Sequence, residues 1–400
     1  MTNLSSSRFV RACLRQPVDR TPIWLLRQAG RYMPEYMAVR KHHSLLEICR
    51  TPDIAAEVTI TAAERLGVDA AIIFADLLLP FTPMGLDFEF VNGEGPVVHQ
   101  PIRTLEQIQA LRTDRVEELL YVAQAIEKVA KHFALKGTGF SPSGGSSGLQ
   151  ATESGRNVKG AGSPGLQPRV STEGMDQLGI IGFCGAPFTL ASYMIEGSSS
   201  RNYIETKKLM YASALGAPGL ASETWAGGAT NSAWPLLMEK LVTVLVAYAQ
   251  QQVEAGADVI QVFDSWAGAL SVADYRQYCL APTTELIQRI RALGVPVIYF
   301  GVDTASLLPT FRETGADVLG LDWRIPLAEG WKAAGPGCAI QGNLDPITLF
   351  APQDVIHTRV KEILEAAAGR PGHIFNLGHG IVPGTPVENV IAVVNQIKQS

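Results

Sequence analysis

Eight short apolar runs rich in β-branched residues recur along the chain. They are Pro22–Leu26, Ala70–Phe74, Gly179–Phe183, Asp258–Phe263, Pro296–Phe300, Val318–Leu321, Cys338–Gln341 and His373–Asn376. Runs this short, with little polar alternation, predict strands buried on both faces, as in parallel sheet. Between them lie longer stretches whose apolar positions recur near every 3.6 residues, among them Thr51–Leu66, Leu105–Leu135, Leu236–Ala255 and Ser271–Leu293. These predict amphipathic helices that cover the sheet. Eight such alternations predict one closed α/β unit over residues 1–400, a single (β/α)8 TIM barrel with its active site at the C-terminal ends of the strands.

Two stretches interrupt the rhythm. Gly137–Gly174 is rich in Gly and Ser and poor in large apolar side chains. Burial there cannot offset the entropy of ordering, so a flexible insertion is expected. It reads as a tolerated surface insert, with a lid or docking segment as the alternative. A smaller insertion, Ala212–Ala233, is rich in Ala, Gly and Ser; Trp225 within it and Trp234 beside it predict that part of it docks on the body.

Composition narrows the class. With 46% hydrophobic and 18% charged residues, the chain can bury a large core. No apolar run approaches the roughly 18 residues of a membrane span. Ile72–Phe81 is interrupted by Asp76, and Leu241–Ala249 is short. The opening Met1-Thr2-Asn3-Leu4-Ser5 lacks the basic and apolar blocks of a secretory signal, so a soluble cytoplasmic protein is expected. Five widely spaced cysteines with no CxxC pair indicate neither a disulfide framework nor a zinc ribbon. A net charge of -5 argues against general nucleic-acid binding. It also requires that any anionic ligand be held by a local basic cluster.

The ends of the apolar runs carry the candidate chemistry. The first leads into Arg27-Gln28-Ala29-Gly30-Arg31-Tyr32-Met33-Pro34-Glu35-Tyr36, and the second into Ala75-Asp76. The third leads into Gly185-Ala186-Pro187-Phe188-Thr189-Leu190 with Tyr193 beyond, the fourth into Asp264-Ser265-Trp266, and the last into Leu377-Gly378-His379-Gly380. In a barrel these polar groups converge on one mouth. Arg27 and Arg31 flank Gly30, so the backbone can bend and both guanidiniums can face one carboxylate ligand. Each such pair gains roughly 4 kcal/mol before desolvation. A structural ion pair on a loop is the other reading. Asp76 interrupts an apolar run, where a carboxylate is costly unless donors satisfy it. Either a structural strand-end role or a ligand N–H or developing cation accounts for it. His379 sits between two glycines, as a packed or capping residue or as one the ligand approaches closely. Tyr193 and Ser265 are ordinary when taken singly. No GxSxG elbow precedes a helix, and no HExxH pair, GxxxxGK[ST] or post-strand GxGxxG occurs.

Together the blocks RQAGRYMPEY (Arg27–Tyr36), Phe74–Asp76, GFCGAPFTLASYMIEG (Gly182–Gly197), QVFDSWAG (Gln261–Gly268), QGNLDP (Gln341–Pro346) and NLGHGIVP (Asn376–Pro383) closely resemble the uroporphyrinogen decarboxylase family. The likeness covers nearly all the chain outside the two insertions. It implies a homodimer of barrels, each with one deep cleft. It also implies conversion of uroporphyrinogen III to coproporphyrinogen III by loss of four acetate carboxyls, with no cofactor and no metal. Carried onto this sequence, the binding residues are Arg27, Gln28, Ala29, Gly30, Arg31, Asp76, Tyr193, Ser265 and His379. Asp76 and Arg27 are the catalytic pair, and Arg40 matches a further family arginine. Two rival readings share the fold or the ligand. One is a methyltransferase whose thiol acceptor is activated by zinc; the absence of Cys two residues after His379, where Ile381 stands, counts against it. The other is a carrier that binds porphyrinogens without reacting.

Overall fold

Seven of the eight apolar runs pair as neighbours in one parallel sheet. Its strands are β1 (Ala70–Ile72), β4 (Gly179–Gly185), β5 (Val259–Asp264), β6 (Val297–Gly301), β7 (Val318–Gly320), β8 (Ala339–Gln341) and β9 (His373–Ile374), in the order β1-β4-β5-β6-β7-β8-β9. The numbers between belong to an antiparallel hairpin, β2 (Phe88–Val91) and β3 (Gly95–Val98), that the apolar runs did not predict. The computed structural model describes residues 7–137, 177–215 and 233–400, apart from positions 92, 94, 199 and 201. The insertions expected at 137–174 and 212–233 lie almost wholly outside the described residues, and Trp225 with them. Trp234 is buried and donates its indole N–H to the Tyr278 carbonyl at 2.9 Å.

The eighth run departs from expectation. Pro22–Leu26 forms one isolated parallel bridge, Ile23 to Phe375, so the sheet has seven strands where a closed eight-stranded barrel was expected. Side chains take three of its backbone donors, and the Trp24 N–H goes to the Phe375 carbonyl. The Ile23 N–H goes to the Asp69 carboxylate, the Leu25 N–H to the Gln28 amide oxygen and the Leu26 N–H to the Asn376 amide oxygen. With those donors spent, no regular ladder forms along the segment. The architecture is TIM-barrel-like, with parallel strands inside and helices outside.

Alternation along the strands separates two layers of core. Trp24, Leu26, Ile181, Val259, Ile298, Phe300, Val318 and Ile374 form an inner cluster, joined by Phe9 and Val10 of the N-terminal helix Arg8–Cys13. Their neighbours Ile180, Ile260, Val262, Val297, Tyr299, Leu319 and Ile340 belong to the cluster shared with the helices. Both faces are apolar because both are buried, which is why the runs read as continuous. The stretch Leu105–Leu135 is not one helix: Leu105–Ala110 stops at an extended Leu111, and Leu120–Gly137 follows a 3-10 turn. Lys240 takes the freed carbonyls of Gln109 and Leu111.

A repeated device holds the N-terminal ends of the strands. Gly67-Val68-Asp69, Gly256-Ala257-Asp258 and Gly315-Ala316-Asp317 each lead into a strand, and each glycine has positive φ (69°, 107° and 78°). Each aspartate then clamps one residue of the preceding stave with two bonds. Its backbone N–H goes to the carbonyl of Ile23, Ile180 or Val297, and its carboxylate accepts the N–H of that same residue at 2.9, 2.8 and 2.9 Å. No helix among the described residues is long and apolar enough to cross a membrane.

Candidate active site

The staves run in the order Pro22–Leu26, β1, β4, β5, β6, β7, β8, β9, and the last bridges back to the first. Residues leaving the C-terminal ends of neighbouring staves therefore meet around one mouth. Tyr193 follows β4, Asp76 follows β1, Arg27 follows Leu26 and His379 follows β9, so these four are consecutive around the ring. Their electrostatics agree: the Arg27 charge acts on Asp76, Tyr193 and His379, and Asp76 acts on Tyr193.

The Arg27 turn is tightly built. Arg27 itself adopts a left-handed backbone (φ 62°), which costs a non-glycine residue on the order of 1–2 kcal/mol. The Gln28 N–H returns to the Leu25 carbonyl at 2.9 Å, and the Gln28 carbonyl accepts the Tyr32 hydroxyl at 2.7 Å. Gln28 is fully buried, and its amide oxygen holds the turn through Leu25. A Cβ on Gly30 would lie 2.9 Å from the Arg27 carbonyl oxygen, so this position needs glycine. Ala29 is half-buried, while Arg27 and Arg31 are exposed. The Arg27 side chain crosses Gly380, where any Cβ would collide with its methylene carbons. The Arg40 guanidinium bonds the His43 carbonyl, and its charge acts on Tyr36, as that of Arg31 does, and on Cys49, as that of Asp76 does.

Asp76 is half-buried among apolar neighbours. Its Oδ1 accepts the Leu78 N–H at 2.9 Å, a local turn bond that fixes the carboxylate. Among the described residues no donor meets Oδ2. Burial raises the pKa to about 6, opposed by the Leu78 N–H and then by the Arg27 charge. The group therefore stays ionised at neutral pH while keeping one acceptor free.

Tyr193 lies on the helix Pro187–Glu196, with its ring 3.7 Å from that of Trp266 at 33°. Burial, and secondarily the Asp76 charge, drives the phenol pKa well up, so it remains a donor. The Trp266 wall is fixed by fully buried Asp264, which accepts the Thr189 hydroxyl at 2.7 Å and the Tyr299 hydroxyl at 2.6 Å. Tyr275 bonds Tyr299 in turn at 2.7 Å, and Thr189 Oγ1 accepts the Trp266 N–H at 3.2 Å. Ser265 is half-buried between Asp264 and Trp266. His379 is half-buried beside Trp323, their rings 6.2 Å apart and nearly perpendicular. Burial first, then the Arg27 charge, lowers its pKa, so the imidazole is neutral at pH 7.

Arg27, Asp76, Tyr193 and His379 are thus brought together, with Ser265 on the adjoining strand end, while Gln28 is sealed beneath them. The supporting network of Thr189, Tyr299 and Tyr275 was missed by the sequence reading, as was the rim at Asp322–Arg324. None of these residues has a local pattern that distinguishes it from ordinary core or surface. Among the described residues, no group of three or more His, Cys, Asp or Glu side chains is disposed to hold a metal ion.

A family model described as Uroporphyrinogen decarboxylase (URO-D) matches residues 4–146 and 169–400. The uroporphyrinogen decarboxylase of Koribacter versatilis is 54% identical over 386 residues, covering 96% of this chain and 93% of that protein. The proteins of the same name from Solibacter usitatus and Chloroflexus aurantiacus are 44% and 46% identical, each over 98% of this chain and over 97% and 95% of their own. Among solved structures, a methyltransferase from Methanosarcina mazei superposes with a TM-score of 0.69 at 20% identity, over 99% of this chain and 98% of that one. That likeness is one of fold.

Proposed function

The chain belongs to the uroporphyrinogen decarboxylase family, and from that premise we infer that it decarboxylates uroporphyrinogen in tetrapyrrole biosynthesis. The observation that carries the reading is Asp76: a fixed carboxylate in apolar surroundings, with Oδ2 free and Arg27 within electrostatic reach. Uroporphyrinogen carries eight carboxylates around four pyrrole N–H groups. A central carboxylate suits the N–H groups, and arginines suit the rim.

Loss of an acetate carboxyl breaks a C–C bond, and its electron pair needs a sink. A pyrrole ring protonated at carbon is a cationic sink, so the substrate itself supplies what a cofactor otherwise would. Carbon dioxide leaves, the exocyclic methylene takes a proton and the ring carbon returns its own. Each acetate becomes a methyl group with one proton consumed. Asp76 accepts the pyrrole N–H bonds and stabilises the ring cation as it forms. Arg27 pairs with the carboxylates and sits nearest the charge that changes. Arg31 holds a rim carboxylate, Gln28, Ala29 and Gly30 shape the loop, and Tyr193, Ser265 and His379 orient the ligand as neutral donors. We take Pro22–Leu26 as the stave that closes the barrel, since Asp69 clamps Ile23 in the way Asp258 and Asp317 clamp β4 and β6. We take the active species to be the homodimer the family resemblance implies.

The test is anaerobic incubation of the purified protein with uroporphyrinogen III, with the oxidised products separated by chromatography. Hepta- to tetracarboxylate porphyrins are expected. Tight binding with no product would identify a carrier instead. Because Asp76 must be ionised to stabilise the cation, kcat/KM is expected to fall as pH drops through about 6, by tenfold per unit below it. A flat profile between pH 5 and 7 would remove the ionised carboxylate from the mechanism. Arg31→Ala is expected to raise KM about tenfold with kcat little changed, the signature of a lost uniform contact. An unchanged KM would eliminate the clamp.

A further inference from the structure

The loop after β7 carries a side-chain assembly that the site described above does not use. Asp322 is only 1% exposed, whereas its partner Arg324 is 42% exposed. The Asp322 Oδ2 accepts the Asp303 N–H at 2.5 Å and Arg324 Nη1 at 2.7 Å, and Oδ1 accepts the Arg324 N–H at 3.0 Å. The guanidinium carbon lies 4.1 Å from the centroid of the Trp323 ring. Asn343 ties the loop down from β8, donating to the Asp322 carbonyl at 2.8 Å and the Ile325 carbonyl at 2.7 Å.

This arrangement immobilises Arg324 before any ligand arrives. One edge is held by a buried carboxylate and one face by an indole, so most side-chain entropy is already lost. Among the described residues, no acceptor is bonded to its Nε or Nη2. An arginine serving only the loop would be expected to bury its guanidinium with its partner; this one leaves donors in solvent. Their location matters. Trp323 presses on Gly378, where a Cβ would collide with the Trp323 backbone nitrogen, and its ring stands edge to face with His379. The Arg324 charge, like that of Arg27, is felt at His379. Around the ring of staves, Arg324 lies two places beyond His379, while Arg27 lies one place before it.

We propose that Arg324 is a further substrate-binding and specificity-determining residue, receiving a rim carboxylate of the macrocycle on the β7 side of the cleft. The proposal rests on the uroporphyrinogen reading above. A ligand with carboxylates all round its rim, centred on Asp76, extends beyond the Arg27–Arg31 loop and meets Arg324 past His379. In a chain of net charge -5, a preorganised cation at that point also selects polycarboxylates over neutral ligands.

The test compares Arg324→Met and Arg324→Lys with the wild type, using uroporphyrinogen III and pentacarboxylate porphyrinogen at two salt concentrations. Arg324→Met is expected to raise KM for uroporphyrinogen five- to tenfold with kcat within twofold, and to flatten the dependence of KM on salt. Arg324→Lys is expected to restore KM to within about threefold, since its charge remains and the Asp303 and Arg324 backbone N–H groups still satisfy Asp322. Unchanged KM and salt dependence in Arg324→Met, with an active wild type, would overturn the proposal alone. So would an equal loss of kcat in both variants, which would make Arg324 a brace for the loop. A wild type that leaves uroporphyrinogen intact would overturn the substrate reading and this proposal with it.

Discussion

Asp76→Asn is expected to lower turnover by about a thousandfold or more while the protein stays folded. Loss of one preorganised electrostatic partner of a transition-state charge typically costs 10²–10³ in rate, and Asp76 faces a full cation. Asparagine keeps the shape and can still accept the Leu78 N–H through its carbonyl. What it removes is the negative charge; it also sets an amide N–H against the pyrrole N–H groups. Stability should move the other way. The folded-state pKa of Asp76, about 6, lies above its ordinary value, so the folded protein binds the proton more tightly than the unfolded chain. That linkage makes ionised Asp76 a cost to folding, growing from about pH 4 and complete above about 6. Two units correspond to at most roughly 3 kcal/mol, less what cleft water screens. The variant's urea midpoint at pH 7.5 should therefore equal or exceed that of the wild type. Turnover within tenfold of wild type would dismiss Asp76 from the mechanism. Lost activity with a lowered midpoint would make it a structural residue.

The legibility of this protein in its sequence divides along the same line. Strands buried on both faces, such as Val297–Gly301, announce themselves as apolar runs because no solvent face interrupts them. Pro22–Leu26 has the same composition yet forms no regular strand, because three of its N–H groups bond the side chains of Asp69, Gln28 and Asn376, two of them far away in sequence, and only that of Trp24 reaches a neighbouring strand carbonyl. No local pattern records that. Asp76 was visible as a charge in an apolar run, and Arg27, His379 and Tyr193 as polar residues at strand ends. Asp322 was not, since Asp-Trp-Arg after a strand reads as a surface ion pair; only the fold reveals that one partner is buried and the other exposed. The three Gly-x-Asp clamps were readable in principle, at equal spacing before three strands, but their meaning depends on the stave each one faces.

Asp69→Asn is the converse case, with a large loss of stability and no loss of chemistry. Asp69 lies at the N-terminal end of β1, where a barrel's residues serve folding, whereas Asp76 follows the C-terminal end of the same strand. It is 7% exposed and carries Arg8 at 3.0 Å, Arg20 at 2.6 Å and the Ile23 N–H at 2.9 Å. Arg8 is itself buried and also holds Asp19. An asparagine there turns an amide N–H toward guanidinium donors and leaves buried positive charge undercompensated, a loss of about 3–5 kcal/mol. The other two clamps provide the controls. Asp317 pairs with Arg291, whose side chain is 44% exposed, so solvent already screens that charge and its replacement should cost about 1–2 kcal/mol. Burial raises the pKa of Asp258 to about 6, so ionisation there opposes folding above that pH. Asp258→Asn should therefore cost least, since only the bond to the Ile180 N–H is at stake and a carbonyl can still accept it. Urea midpoints at pH 7.5 should fall in the order Asp69, Asp317, Asp258, with kcat of the folded fraction unchanged in all three. If Asp69→Asn lost kcat at full stability, the division of the barrel into a working face and a supporting face would be wrong for this protein. If Asp258→Asn proved the most damaging, the backbone clamp would outweigh the ion pairs in holding the staves.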